Sequence, residues 1–407
     1  MFTITDVMKN VSWVAGLRYF TRGAGLLESI ILARFFLDPY QFGLFGIASL
    51  ILAFLEIITE TGINVFLIQQ KDPIEDYIDG AWIVSILRGL LIGVLIFSLS
   101  PFIATFFKSK DAQGIMAFIS LVPVVRGFIN PAIIRFQKEL FFRKEFYLRS
   151  ALVIIETGVA LTVAFITKNA YCLVWGLLLS ALFEVIFSFL FIKPVPSLRW
   201  DAKAIKKIFH SGKWVTVYGI FSYIAQQGDS FVVGKIAGVV SLGYYQMAYT
   251  FGTIPISEVT EVVHKVFFPS YTKISINTKN LLKVFLRNSA IVSIFILLAG
   301  SCIYIFAQQI ILFTIGEKWL QIVPLIRILL IYGVLRAIFG LSESLFLAVG
   351  KQNYLATITF LRFLGLAVTI IPLTIKYGPI GAAYSVLISI VLELPIILYF
   401  MAQVFKK

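Results

Sequence analysis

Apolar residues run through this chain in long blocks, and most polar residues fall in the short gaps between them. Twelve such blocks stand near 11–37, 41–68, 80–107, 113–136, 146–167, 171–192, 213–238, 242–268, 284–312, 322–349, 354–376 and 379–404. Each is long enough for a bilayer-crossing helix, which needs roughly 20 mostly apolar residues. The pattern therefore predicts an all-α polytopic membrane protein with about twelve transmembrane helices. A repeat divides them. Glu28-Ser29, an apolar run and Arg34, then Gly43 and Ala48, return as Asp229-Ser230, an apolar run and Lys235, then Gly243 and Ala248. Val124-Val125-Arg126-Gly127-Phe128 returns as Val334-Leu335-Arg336-Ala337-Ile338 at a similar offset. The expected domains are two pseudo-symmetric six-helix bundles, residues 1–192 and 213–407, joined by a basic cytoplasmic linker over 193–212. Duplicated bundles in a membrane suit a transporter whose site lies between repeats.

Composition sharpens the membrane assignment. The 407 residues are 59% hydrophobic and 14% charged, with a mean hydropathy of +0.93. A soluble domain cannot hide that much apolar surface. The formal net charge of +14 is explained by where the bases lie. Loops after even-numbered spans hold Arg135, Lys138, Arg143, Lys144, Arg149, Lys193, Arg199 and Lys273, while loops after odd-numbered spans hold few, such as Arg34, Lys108, Lys110 and Lys168. That asymmetry places both termini in the cytoplasm, in the cytoplasmic (inner) membrane of a cell. No loop is long enough for a basic nucleic-acid platform, so no nucleic-acid partner is expected. Cys172 and Cys302 lie in apolar blocks without metal-site spacing, and the first block lacks a cleavage site of the signal-peptide kind.

Charges inside the apolar blocks are costly, at about 3 kcal/mol or more each near mid-bilayer, and so point to function. Arg18 and Arg22 are four residues apart and share a helix face with Gly25 and Ser29. Tyr218, Ser222, Gln226 and Asp229 form a matching polar stripe. A cleft lined by Arg18, Arg22, Arg88, Arg126 and Arg336 would bind phosphate or pyrophosphate through guanidinium forks. Arg22 pairing with Glu56 or Glu60 for structure alone is the competing reading. Glu28, Asp229, Glu258 and Glu261 either pair with those arginines or carry a coupling H⁺ or Na⁺; no other cofactor and no metal site are expected. The acidic loop with Asp72, Glu75, Asp76 and Asp79 reads as a solvated face.

The order Asp229-Ser230-Phe231-Val232-Val233-Gly234-Lys235, Leu242-Gly243-Tyr244-Tyr245, Ile254-Pro255, Phe267-Phe268-Pro269-Ser270-Tyr271, Gly316-Glu317-Lys318-Trp319 and Gly350-Lys351 resembles the Wzx-like polysaccharide flippases of the multidrug/oligosaccharidyl-lipid/polysaccharide exporter superfamily. The resemblance spans almost the whole chain. It implies two six-helix bundles and alternating access. It also implies a polyprenyl-pyrophosphate-linked oligosaccharide as cargo (an O-antigen, capsule or exopolysaccharide unit), basic cavity residues for its pyrophosphate, and a polymerase and glycosyltransferases as possible partners beside membrane lipids. Many longer relatives have two further helices. A cation-coupled small-molecule exporter on the same fold is the alternative, although the blocks are rich in arginine. A membrane enzyme is not expected: the outer loops are short, no Asp-x-Asp pair occurs, and the histidines are His210 and His264 alone.

Overall fold

The computed structural model describes residues 4–70, 73–200, 202–274 and 278–406. Asp72 and the side chains of Trp214 and Tyr218 lie outside the described residues, as do those of most of the basic stretch 201–215. Among the described residues the regular structure is entirely helical, and the contacts define two compact units, Met1–Gly228 and Asp229–Lys407.

The first unit comprises α1 (Ile4–Phe35), α2 (Pro39–Ile58), α3 (Ile63–Gln69), α4 (Ile78–Phe106), α5 (Asp111–Ile119), α6 (Leu121–Gly127), α7 (Arg135–Lys138), α8 (Phe142–Thr167), α9 (Tyr171–Phe191) and most of α10 (Ala202–Ile236). The second holds the end of α10 with α11 (Val239–Ile274), α12 (Thr278–Thr314), α13 (Val323–Ala348), α14 (Gln352–Tyr377), α15 (Pro379–Val391) and α16 (Leu394–Phe405).

Among the described residues, eight stretches of helix are apolar and long enough to cross a bilayer, or nine when α5–α6 and the Pro131–Lys138 segment, bent by 73°, count as one. The helices α1, α10 and α11 have 32, 35 and 36 residues, which at 1.5 Å per residue exceed a hydrocarbon core of about 30 Å. They are less apolar than those eight, because polar uncharged residues as well as charged ones run along them. Exposed positions on α12 and α14 are Ile291, Phe295, Leu298, Ile305, Phe360, Val368 and Ile375, all more than half exposed. Such a surface fits lipid, not water.

Side-chain contacts fix the two ends of the first unit. At one end Tyr40 donates to Asp111 (2.7 Å) and the Ala170 N–H donates to Gln41 (2.8 Å). At the other, Arg135 reaches Glu75 (2.9 Å) and the Lys193 carbonyl (2.6 Å), Gln137 donates to Glu145 (2.6 Å), and Asp79 accepts from the Ser197 backbone and hydroxyl. The second end collects the bases. The acids Glu75 and Asp79 of the solvated loop act here as structural anchors.

Glycine sets the closest helix approach in this unit. A Cβ on Gly93 would stand 2.8 Å from the Ser120 carbonyl, and one on Gly127 would stand 2.9 Å from the Ser85 carbonyl. Both are too short for a real contact, so α4 and α6 pack backbone to backbone, as small residues permit in membrane helices. Gly89 shares this contact, its Cβ position 3.0 Å from the Gly127 Cα, and Arg88 and Arg126 immediately precede Gly89 and Gly127. The close approach carries both arginines to the flank of α2.

Three expected spans are interrupted. The 41–68 block turns after Ile58, where Gly62 takes a left-handed φ of 67° and the Glu60 carboxylate accepts its N–H at 2.9 Å. The 113–136 block bends at Phe128–Asn130, where Asn130 caps the 3-10 turn opened by Pro131. The last block breaks at Leu392–Glu393, with Pro395 in the first turn of α16. In the second unit α11 and α13 pack through Gly252 and Gly333, and Tyr271, Leu281, Phe285 and Leu345 form a buried cluster.

Candidate functional site

Two cavities in the first unit gather four of the five arginines singled out by sequence. The larger, about 570 Å³, lies between α1 and α8 and is lined by Val14, Leu17, Arg18, Thr21, Arg22, Glu145 and Arg149. Helical spacing explains the lining: Val14, Arg18 and Arg22 lie on one face of α1, and Glu145 and Arg149 on one face of α8. The helices are clipped together by Phe146, 5.1 Å from Trp13 and in contact with Gly16, and by Arg143, whose guanidinium stands over Trp13 and Tyr147 at 6.0 and 5.7 Å. Arg149 is steadied by Glu184 of α9 at 2.9 Å, and Thr21 donates to the Arg18 carbonyl at 3.0 Å.

The second cavity, about 370 Å³, is framed by α2, α4 and α6 and lined by Glu56, Glu60, Ser85, Arg88 and Arg126 among apolar neighbours. Arg88 is held on three sides. It donates to the Glu56 carbonyl (2.5 Å), the Thr59 hydroxyl (3.3 Å) and the Glu60 carboxylate (3.1 Å). Arg126 donates to Glu56 at 3.1 Å. The four charged side chains are 25–39% exposed, so these ion pairs face the cavity and are not sealed in a dry core.

Further polar chemistry joins α1 to α8. Glu28 of α1 accepts from Thr157 of α8 at 2.7 Å, and Glu156 stands within electrostatic range of both Glu28 and Arg126. On α10, Ser222 is half-buried and Gln226 exposed.

The second unit builds its own network. Asp229 is buried and accepts from the Tyr245 hydroxyl (2.8 Å) and the Ser230 N–H (2.7 Å). The rings of Tyr245, Tyr249 and Tyr332 follow one another at 6.3 and 6.4 Å, and Arg336 donates to the Tyr332 hydroxyl at 3.0 Å. Farther along α13, Ser344 meets His264 at 2.7 Å; Glu258 and Glu261 lie half-buried on α11. Buried Glu393, at the break of the last span, lies 3.3 Å from Arg362.

The five arginines expected around one cleft are thus sorted. Arg18 and Arg22 line one cavity, Arg88 and Arg126 another, and Arg336 belongs to the tyrosine network of the second unit. The acids Glu56 and Glu60, considered as partners for Arg22, take Arg126 and Arg88 instead, because the α4–α6 packing delivers those two to α2. Sequence reasoning counted Arg149 as a loop charge and did not single out Glu145. Their four-residue spacing within a helix beginning at Phe142 was the available signal.

Known proteins share this chain's sequence pattern and its fold. The chain is 28% identical to a membrane protein in the cps region of Klebsiella pneumoniae over 374 residues, 89% of this chain and 76% of the relative. It is 24% identical to the lipopolysaccharide biosynthesis protein WzxC of Escherichia coli K12, over 85% of this chain and 70% of that one. Its fold matches the lipid II flippase MurJ in an inward closed conformation with a TM-score of 0.73 at 18% identity, covering 96% and 88% of the two chains. Residues 31–324 match the family model described as polysaccharide biosynthesis protein. The expectation from the sequence motifs and the helical membrane fold meet there, and the chain belongs to the polysaccharide biosynthesis protein family.

Proposed function

We propose that this protein is a flippase that moves a polyprenyl-pyrophosphate-linked oligosaccharide across the cytoplasmic membrane by alternating access, leaving its cargo chemically unchanged. The observation that carries the reading is the α1–α8 cavity, where three guanidiniums face one carboxylate. Guanidiniums lining a recess with apolar walls at Val14 and Leu17 attract a multiply charged anion, and their planar forks match phosphate oxygens in pairs. The apolar walls suit the first carbons of a lipid tail. With the base-rich end of the first unit in the cytoplasm, the cavity opens near the leaflet where a cytoplasmically assembled glycolipid arrives. WzxC and MurJ, named for lipopolysaccharide biosynthesis and lipid II flipping, support the same cargo class. H⁺ or Na⁺ is the proposed coupling ion, with Glu28 and Asp229 its candidate carriers. Glycosyltransferases supplying the cargo and a polymerase consuming it are the expected functional partners.

The test is reconstitution of the purified protein in liposomes with a fluorescent undecaprenyl-pyrophosphate-linked disaccharide, followed by a membrane-impermeant quencher. Wild type exposes inner-leaflet lipid faster than empty liposomes do. Arg18→Gln or Arg22→Gln, each losing a charge-assisted hydrogen bond of about 1.5–3 kcal/mol, slows this about tenfold or more. Rates equal to those of empty liposomes would refute the reading.

A further inference from the structure

The α2–α4–α6 cavity differs from its neighbour in charge balance. Two carboxylates, Glu56 and Glu60, face two guanidiniums, Arg88 and Arg126, with the Ser85 hydroxyl beside them, so the lining sums to zero. Each arginine already serves a carboxylate at 3.1 Å. A pyrophosphate entering here would displace those carboxylates or sit against them, whereas the lining of the neighbouring cavity presents three guanidiniums and one carboxylate.

We propose that this neutral cavity is a glycan subsite, taking an uncharged pyranose ring of the carried oligosaccharide. The inference rests on the flippase reading for its cargo and goes beyond it by assigning the sugar a place of its own. A pyranose presents adjacent hydroxyls that both donate and accept, and an Arg–Glu pair offers the complementary set. Carboxylate oxygens accept, and guanidinium N–H groups donate. Arg126 meets Glu56 through one terminal nitrogen, which keeps others of its five N–H groups for a ligand. The lining is also preorganised. Arg88 is fixed by three acceptors, Glu60 is fixed by the Gly62 N–H, and Gly89 and Gly127 hold the wall against movement through the close α4–α6 contact. At about 370 Å³ the space suits a ring or two and is too small for a long glycan.

Position supports the same assignment. Arg149 and Glu156 lie on one face of α8, seven residues and about 10.5 Å apart along the axis. Arg149 lines the anionic site, and Glu156 is within electrostatic range of Arg126 in the neutral one. The two sites are therefore neighbours, in the order phosphate then sugar that a lipid-linked saccharide has.

Equilibrium binding to the protein in nanodiscs tests this with four probes: undecaprenyl pyrophosphate alone, and the same lipid bearing glucose, galactose or N-acetylglucosamine. Wild type binds at least one sugar-bearing lipid about five- to tenfold more tightly than the bare lipid. Ser85→Leu, which fills the cavity, and Glu56→Gln, which is isosteric and removes one acceptor charge, each reduce that preference below about twofold. Glu56→Gln also binds the bare pyrophosphate lipid as tightly as wild type or more so, because Arg126 loses its counter-ion. Thermal unfolding of each variant checks its fold. A wild type indifferent to the sugar, or a preference surviving in a folded variant, overturns the subsite. Loss of the flippase reading looks different: bare undecaprenyl pyrophosphate then fails to bind wild type at all, or binds Arg18→Gln equally well.

Discussion

Asn130 offers the sharpest test of how the first unit is held together. It is fully buried where the chain turns out of α6. Its Nδ2 donates toward the carbonyls of Pro194 (2.9 Å), Ile192 (3.3 Å) and Ser188 (3.4 Å), and its Oδ1 accepts from the Ala132 N–H at 2.9 Å. One side chain thus ties the end of α9 and the segment after it to the turn that opens at Pro131. Asn130→Ala deletes about three useful hydrogen bonds at about 1 kcal/mol each and leaves buried groups unpaired, for a total of about 3–5 kcal/mol. For a unit of this size that lowers the melting temperature by about 6–20 °C. Asn130→Asp is the informative comparison. It keeps the volume and the acceptor for Ala132 but turns a carboxylate oxygen toward three carbonyl oxygens. Its loss should equal or exceed that of alanine, although a packing argument alone ranks it as the milder change. Thermal unfolding of the detergent-purified protein, followed by intrinsic fluorescence, measures both. An aspartate variant melting within about 2 °C of wild type would refute the clamp.

Two further outcomes follow from the helix contacts. Gly93→Ala places a methyl against the Val124 side chain and the Ser120 carbonyl, and should cost about 1–3 kcal/mol in the same unfolding measurement; the exposed Gly158, with nothing within 4 Å of its Cβ position, should accept alanine without loss. Tyr245→Phe removes the tyrosine donor to buried Asp229 and should destabilise the second unit by about 1–3 kcal/mol, read as a lower melting temperature that Asp229→Asn partly restores in the double variant.

Much of the fold was legible because the bilayer imposes a simple rule on sequence. The blocks 80–107, 146–167, 171–192 and 354–376 match α4, α8, α9 and α14 to within a few residues, since their ends are set by local polar residues and by the length of the apolar run. The interruptions were harder to foresee, and for two different reasons. The turn after Ile58 has a local cause in Glu60 and Gly62, a signal present in the sequence but weaker than the apolar run that surrounds it. The break at Glu393 places a carboxylate beside Arg362, which is 31 positions earlier in the chain, so hydropathy along the chain could not mark it.

The arginines show the same division between what composition reveals and what only packing decides. That Arg18, Arg22, Arg88 and Arg126 must avoid lipid follows from their cost in the apolar blocks. Which of them attracts an anion does not, because a guanidinium's availability depends on the acid placed opposite it. Gly89, Gly93 and Gly127 bring α4 and α6 together, and that approach delivers Arg88 and Arg126 to Glu60 and Glu56, cancelling their charge. Around Arg18 and Arg22 the facing helix contributes Glu145 and Arg149, and Arg149 is itself paired with Glu184 of α9. The electrostatic character of each cavity is thus a property of helix pairs. A glycine with no charge of its own decides which acid a neighbouring arginine meets by deciding which helices can touch.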